Sequence, residues 1–176
     1  MTAIWKSYQL VLRTHPRLAQ ALNTSVLFGS GDVIAQLFLE RRSLRTYDAR
    51  RTSRYTGVGL LVAGPAMYAW YTRLDRIVKG TKSLAVIKKV ALDQVLFLPV
   101  YLASFISLMS ILRGERASRL RGQLRRDFGS LLVTSYKIWP LVQTINFYLV
   151  PLHHRILVMN CVSIAWNTYL GWRTER

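Results

Sequence analysis

Apolar residues run through this chain in long stretches, and charged residues collect between them. Four windows, 18–39, 55–72, 94–112 and 131–152, contain only Asp32 and Lys137 of the chain's 25 basic and 8 acidic residues. A fifth window, 156–172, contains no charge. A water-soluble helical bundle needs a polar stripe along most of its helices. Segregation of this kind is expected where long segments face hydrocarbon and the linkers face water. As α-helices, windows of 18 to 22 residues reach about 27 to 33 Å, against a hydrocarbon thickness of about 30 Å. Period-two alternation is absent, which argues against strands. The pattern predicts an all-α polytopic membrane helix bundle forming a single membrane domain over 1–176. It comprises four transmembrane helices, near 18–39, 55–72, 91–112 and 131–152, and an apolar C-terminal helix over 156–172, interfacial or packed. A bundle of five spans is the alternative.

Residues 1–13 carry Ile4, Trp5, Tyr8, Val11 and Leu12 at helical spacing and predict a short amphipathic helix ending before Pro16. No acidic residue precedes Asp32, which suits mitochondrial import without cleavage. Ala21, Ser25 and Gly29 share one helix face, and Gly59 and Ala63 repeat the spacing, so these faces predict close helix–helix approach. Pro65 and Pro99 predict bends in the second and third spans, and Pro140 and Pro151 mark the fourth.

Charge refines this picture. The connectors 40–54, 73–89 and 113–127 carry net charges of +4, +5 and +4, and the first 17 residues add +3. With four spans both surfaces carry +8, so the positive-inside rule sets no orientation. The basic excess, net +17 overall, predicts contact with anionic lipid head groups. Direct nucleic-acid binding is disfavoured, because the aromatic residues lie in the apolar spans rather than among the basic connectors.

Asp32 is the sharpest candidate. It lies eight residues before Glu40, about 12 Å deep if the helix ends there, where an ionised carboxylate costs about 2.5 to 3.5 kcal/mol. Two readings stand open: pore lining, or a buried pair with a basic side chain. Gln36 follows one turn on, on the same face. Asp93 and Gln94 open the third span; Asp93 can line a mouth, reach the interface or pair with a lysine such as Lys89. Gln143 and Asn146 share a face of the fourth segment, where amides either bridge helices or line a polar path.

Enzyme signals are weak. The three histidines form no metal-ligand spacing, His153 and His154 read as interfacial anchors, and no nucleophile elbow or phosphate loop occurs. The lone Cys161 excludes an intrachain disulfide and reads as an inert core thiol. No catalytic residue, metal or cofactor is expected.

The segment 135–172 resembles the signature of the Mpv-seventeen / peroxisomal membrane channel protein family of small organellar membrane proteins. The matching residues are Trp139, Pro140, Gln143, Asn146, Phe147, Pro151 and Arg155, continuing to Trp166, Asn167, Tyr169 and Leu170. Gly31-Asp32 with Gln36, Gly64-Pro65, Trp70-Tyr71, Leu74-Asp75, and Lys89 with Asp93-Gln94 extend the likeness over nearly the whole chain. Tyr68 stands where several relatives carry His, so no role of that His transfers. The likeness is greatest to the family's mitochondrial branch. It implies four membrane helices, a multi-pass inner-mitochondrial address with a peroxisomal membrane as the alternative, and a weakly selective, gated channel for small hydrophilic solutes. It further implies support of mitochondrial homeostasis and mitochondrial DNA maintenance through metabolite or nucleotide supply. Expected partners are membrane lipid, small solutes and a homo-oligomer or membrane complex. A non-conducting membrane scaffold is the competing function.

Overall fold

The computed structural model describes residues 14–79, 83–149 and 155–175, excepting the side chains at 83, 146–148 and 155–157. The expected amphipathic helix over 1–13 lies outside these residues, as do Pro151, His153 and His154. Every regular element among the described residues is helical. Helix α1 spans Pro16–Leu39, starting on a proline whose missing N–H costs nothing in a first turn. Helix α2 runs over 49–77 and is capped by Asp48, whose carboxylate accepts the Arg51 backbone N–H at 2.8 Å. Helix α3 runs over 83–112, α4 over Ala117–Tyr148 and α5 over Arg155–Thr174. Of these, α1 and the Leu84–Leu112 part of α3 are long and apolar enough to cross a membrane.

The bends expected at Pro65 and Pro99 take a specific form. Helix α2 contains a π-helical turn at Gly59–Ala63, and α3 contains one at Asp93–Phe97. Each ends two residues before its proline. A proline lacks an N–H and pushes away the carbonyl four residues earlier. That carbonyl belongs to Leu61 in one helix and Val95 in the other, both inside the widened turn, which absorbs the mismatch. Pro140 lies within α4, which continues for two further turns rather than ending there. Helix α3 stops in a Schellman turn: Gly114 adopts φ 73°, its N–H donates to the Ile111 carbonyl, and the Glu115 N–H donates to Ser110 at 3.1 Å.

Packing follows the small residues. A Cβ on Gly59 would sit 2.8 Å from the Ser25 backbone, one on Gly64 would sit 2.5 Å from the Ala21 backbone, and one on Gly29 would meet the Thr56 hydroxyl. The face Ala21, Ser25, Gly29 is therefore the contact of α1 with α2, as its spacing predicts. Gly31 meets Asn167 and Thr168 just as closely, which seats α5 along α1. Helix α1 thus touches both α2 and α5, while α4 packs on α3 and α5. The C-terminal helix is a full member of the bundle.

The interior holds a core of Phe28, Tyr55, Leu102, Phe105, Ile106 and Leu170. The interior also buries Asp32, Gln36, Arg51, Asp93, Gln94 and Asp127. The outside carries Val26, Phe38, Leu61, Val95, Val100 and Leu141, each more than half exposed. Charge inside and large aliphatic side chains outside is the reverse of a soluble domain and suits a hydrocarbon surround. Cys161 is one of the outward residues, exposed rather than in the core, because α5 turns that face away from α1 and α4.

Candidate functional site

Two polar sites lie inside the bundle. The first gathers at the end of α1 and the start of α2. Asp32 Oδ1 accepts the Arg51 Nε–H at 2.6 Å, and Asp32 Oδ2 accepts Gln36 Nε2 at 2.8 Å and the Thr52 hydroxyl at 2.6 Å. Arg51 Nη1 also donates to both oxygens of Glu40, at 2.7 and 2.9 Å. Gln36 Oε1 accepts the Asp48 backbone N–H at 2.8 Å. Asp32 and Gln36 are fully enclosed and Arg51 is 1% exposed. The pair reading of Asp32 describes this geometry. Neither Asp32 nor Gln36 lines a cavity, because each polar atom that would face a lumen is spent on a neighbour.

The second site is a cavity of about 250 Å³ lined by residues of all five helices. It occupies the half of the bundle nearer the start of α1. Asp93 and Gln94 from α3 and Gln143 from α4 line it, joined by Gln20 and Asn23 from α1 and Asn160 from α5. Aromatic walls come from Tyr71, Phe97, Tyr101, Trp139 and Trp166. The Trp70 indole stacks on Phe97 at 5.2 Å, and its Nε1–H donates to Asp93 Oδ1 at 2.9 Å. Among the described residues Asp93 makes no ion pair: Lys89, the lysine within reach in sequence, bonds Asp75 at 2.7 Å instead. The adjacent Asp93 and Gln94 open the π turn, and both line the cavity. From the cavity wall toward the turn 113–116, Phe28 meets Phe105 edge to face at 5.6 Å, and Tyr55 packs tilted against Phe105 at 6.0 Å.

Of the remaining family-motif residues, Trp139 and Trp166 meet edge to face at 6.2 Å, and Tyr169 lies 5.7 Å from Trp166. The side chains of Asn146, Phe147 and Arg155 lie outside the described residues, as does Pro151.

A third network escapes sequence reasoning. Arg113 in the turn after α3 bonds Glu115, Glu175 and Gln123 at 2.9 Å each. Gln123 Nε2 donates to the Thr174 carbonyl, and the Thr174 hydroxyl meets the Tyr55 hydroxyl at 2.9 Å. This ties the end of α5 to α2 and α4. Burial raises the Glu115 carboxyl, but bonds from Arg113 and Ser110 outweigh it and hold Glu115 below its ordinary value. Its signal in the sequence is only an Arg–Gly–Glu turn and a Glu at the chain's end.

An all-helical bundle with an aliphatic exterior and a polar interior cavity defines the class as a helical membrane protein. The sequence pattern of the Mpv17 / PMP22 family matches residues 110–171. The mitochondrial inner membrane protein Mpv17 of Xenopus laevis is 42% identical over 176 residues, covering 100% of this chain and 99% of that protein. The protein of the same name from Homo sapiens is 41% identical over 174 residues, 99% of each chain. Protein sym-1 of Neurospora crassa is 40% identical over 167 residues, 94% of this chain and 95% of that one. This chain belongs to the Mpv17 / PMP22 family. No solved structure matches it.

Proposed function

We propose that this protein is a gated, weakly selective pathway for small hydrophilic solutes in the mitochondrial inner membrane, the address printed in its relatives' names. The observation that carries this reading is the internal cavity, whose polar lining of one carboxylate and several amides sits inside an aliphatic outer surface. Polar groups in that setting are costly unless they serve a path or a partner. A path open at rest would dissipate the proton gradient. The aromatic plug of Phe28, Tyr55 and Phe105 is the element that would have to move. The reading puts four or five helices across the bilayer, with α5 counted by whether its ends reach both surfaces. It assigns no catalytic step and no cofactor.

Among the described residues lining this cavity, a nucleotide polyanion finds no counter-charge. Support of mitochondrial homeostasis and of mitochondrial DNA maintenance would therefore run through neutral or cationic metabolites. The test is solute release from proteoliposomes of purified protein. The expected result is efflux of small polar tracers that falls when Gln143→Leu makes the cavity apolar. Absence of efflux across a range of membrane potentials, with the protein folded and inserted, would instead favour a non-conducting scaffold.

A further inference from the structure

The buried polar atoms that lack a partner are not scattered. Three of the six among the described residues, Gln94 Oε1, Tyr101 Oη and Gln143 Oε1, belong to residues lining the one cavity. All three oxygens can accept a hydrogen bond. With them stands the Asp93 carboxylate, whose side-chain bonds come from Trp70, Gln94 and the Tyr71 hydroxyl, all neutral donors. Gln94 is 8% exposed and Asp93 is 7% exposed, so both lie within the bundle. Among the described residues, no Lys, Arg or His lines the cavity. Buried acceptors are normally satisfied, and a buried carboxylate normally has a cation.

We infer that the cavity is a binding site for a small organic cation, an ammonium that donates to Asp93, Gln94 and Gln143 while its apolar part lies among Tyr71, Phe97 and Trp139. An ammonium carries three donors and one positive charge, which is the complement of this lining. The faces of Trp and Tyr add attraction for the cation. The volume of about 250 Å³ falls below that of typical drug-sized pockets, so the ligand is small. An anion would meet a carboxylate and amide oxygens with no compensating charge.

This inference deepens the solute-pathway reading by naming the solute class, but its test does not depend on flux. Purified full-length protein in lipid nanodiscs is titrated with phenethylammonium, with neutral 2-phenylethanol and with 3-phenylpropanoate, following tryptophan fluorescence. The expected result is saturable binding of the cation, about 10- to 100-fold tighter than either analogue, the range of a charge-assisted hydrogen bond. Asp93→Asn removes that preference, and Asp75→Asn at the surface leaves it. Equal binding of the three probes by the wild-type protein overturns the proposal, and needs no variant to fold. Retention of the preference in folded Asp93→Asn also overturns it. A proteoliposome arm separates the two readings. Cation binding without efflux sinks the pathway and keeps the site, whereas efflux without preferential cation binding sinks the site and keeps the pathway.

Discussion

Asp32 and Asp93 look alike in the sequence. Each is an acid in an otherwise apolar stretch, each has a glutamine close behind, and each is more than nine-tenths buried. Their surroundings are opposite. Asp32 has an arginine at 2.6 Å and two further donors, and its site is sealed. Asp93 has an indole, a neighbouring amide, the Tyr71 hydroxyl and a cavity. Inside a bundle, the role of a carboxylate is set by whether the fold delivers a cation to it. Arg51 reaches Asp32 from 19 residues away because a short connection folds α2 back on α1. Among the described residues no cation reaches Asp93, since Lys89 turns to Asp75.

The contrast is broken most severely by Arg51→Leu. It strands Asp32 without its cation and should cost about 3 to 5 kcal/mol, read as loss of folded, monodisperse protein in detergent. The double variant Asp32→Leu with Arg51→Leu should recover most of that loss, because a paired apolar replacement leaves no buried charge. Next comes Gly59→Val. Its side chain would strike the Ser25 backbone at the crossing that sets Arg51 opposite Asp32. It should destabilise by about 1 to 3 kcal/mol, measured as a lowered Tm.

Asp93→Asn should change stability by less than about 1 kcal/mol, since the Trp70 indole still finds an oxygen. A thermal melt beside that of Asp32→Asn checks the difference between the two acids directly. The smallest effect is the pH dependence of the Arg113 network. Glu115 is held below its ordinary value of 4.5, so its contribution is complete above that pH and disappears as pH falls through the lower folded-state value. Melting curves between neutral and acid pH should show this slope in the wild-type protein and a shallower one in Glu115→Gln.

Much of the fold was legible in the sequence. The uncharged windows marked α1, the apolar part of α3 and α5 closely, because exclusion of charge from hydrocarbon is written residue by residue. The stripe Ala21, Ser25, Gly29 announced a close crossing, because only small side chains permit it. The prolines announced a disturbance, though not its form. Helix boundaries were less legible: α2 begins at Ala49 and α4 at Ala117, well before their apolar windows. Arginine-rich segments can continue a helix into the aqueous layer, and composition alone does not mark where they stop.

The candidate site divides along the same line. The residues that line the cavity were partly visible, as Asp93, Gln94 and Gln143, because a polar group in an apolar stretch is conspicuous. For Asp32 with Gln36 the sequence left open a pore lining or a buried pair, and the structure sets Arg51 against Asp32; the omission was the cluster around Arg113, Gln123 and Thr174.

The sequence by itself determined that this chain is helical, which segments are apolar enough for a membrane, and which acids lie within them. These follow from backbone hydrogen bonding in hydrocarbon and from the cost of charge there, both local properties of a segment. Only the tertiary structure decided which acid is neutralised and which faces a cavity, that α5 joins the bundle along α1, and where Cys161 points. Those outcomes depend on which groups from distant segments meet, and helix packing, not local composition, brings them together.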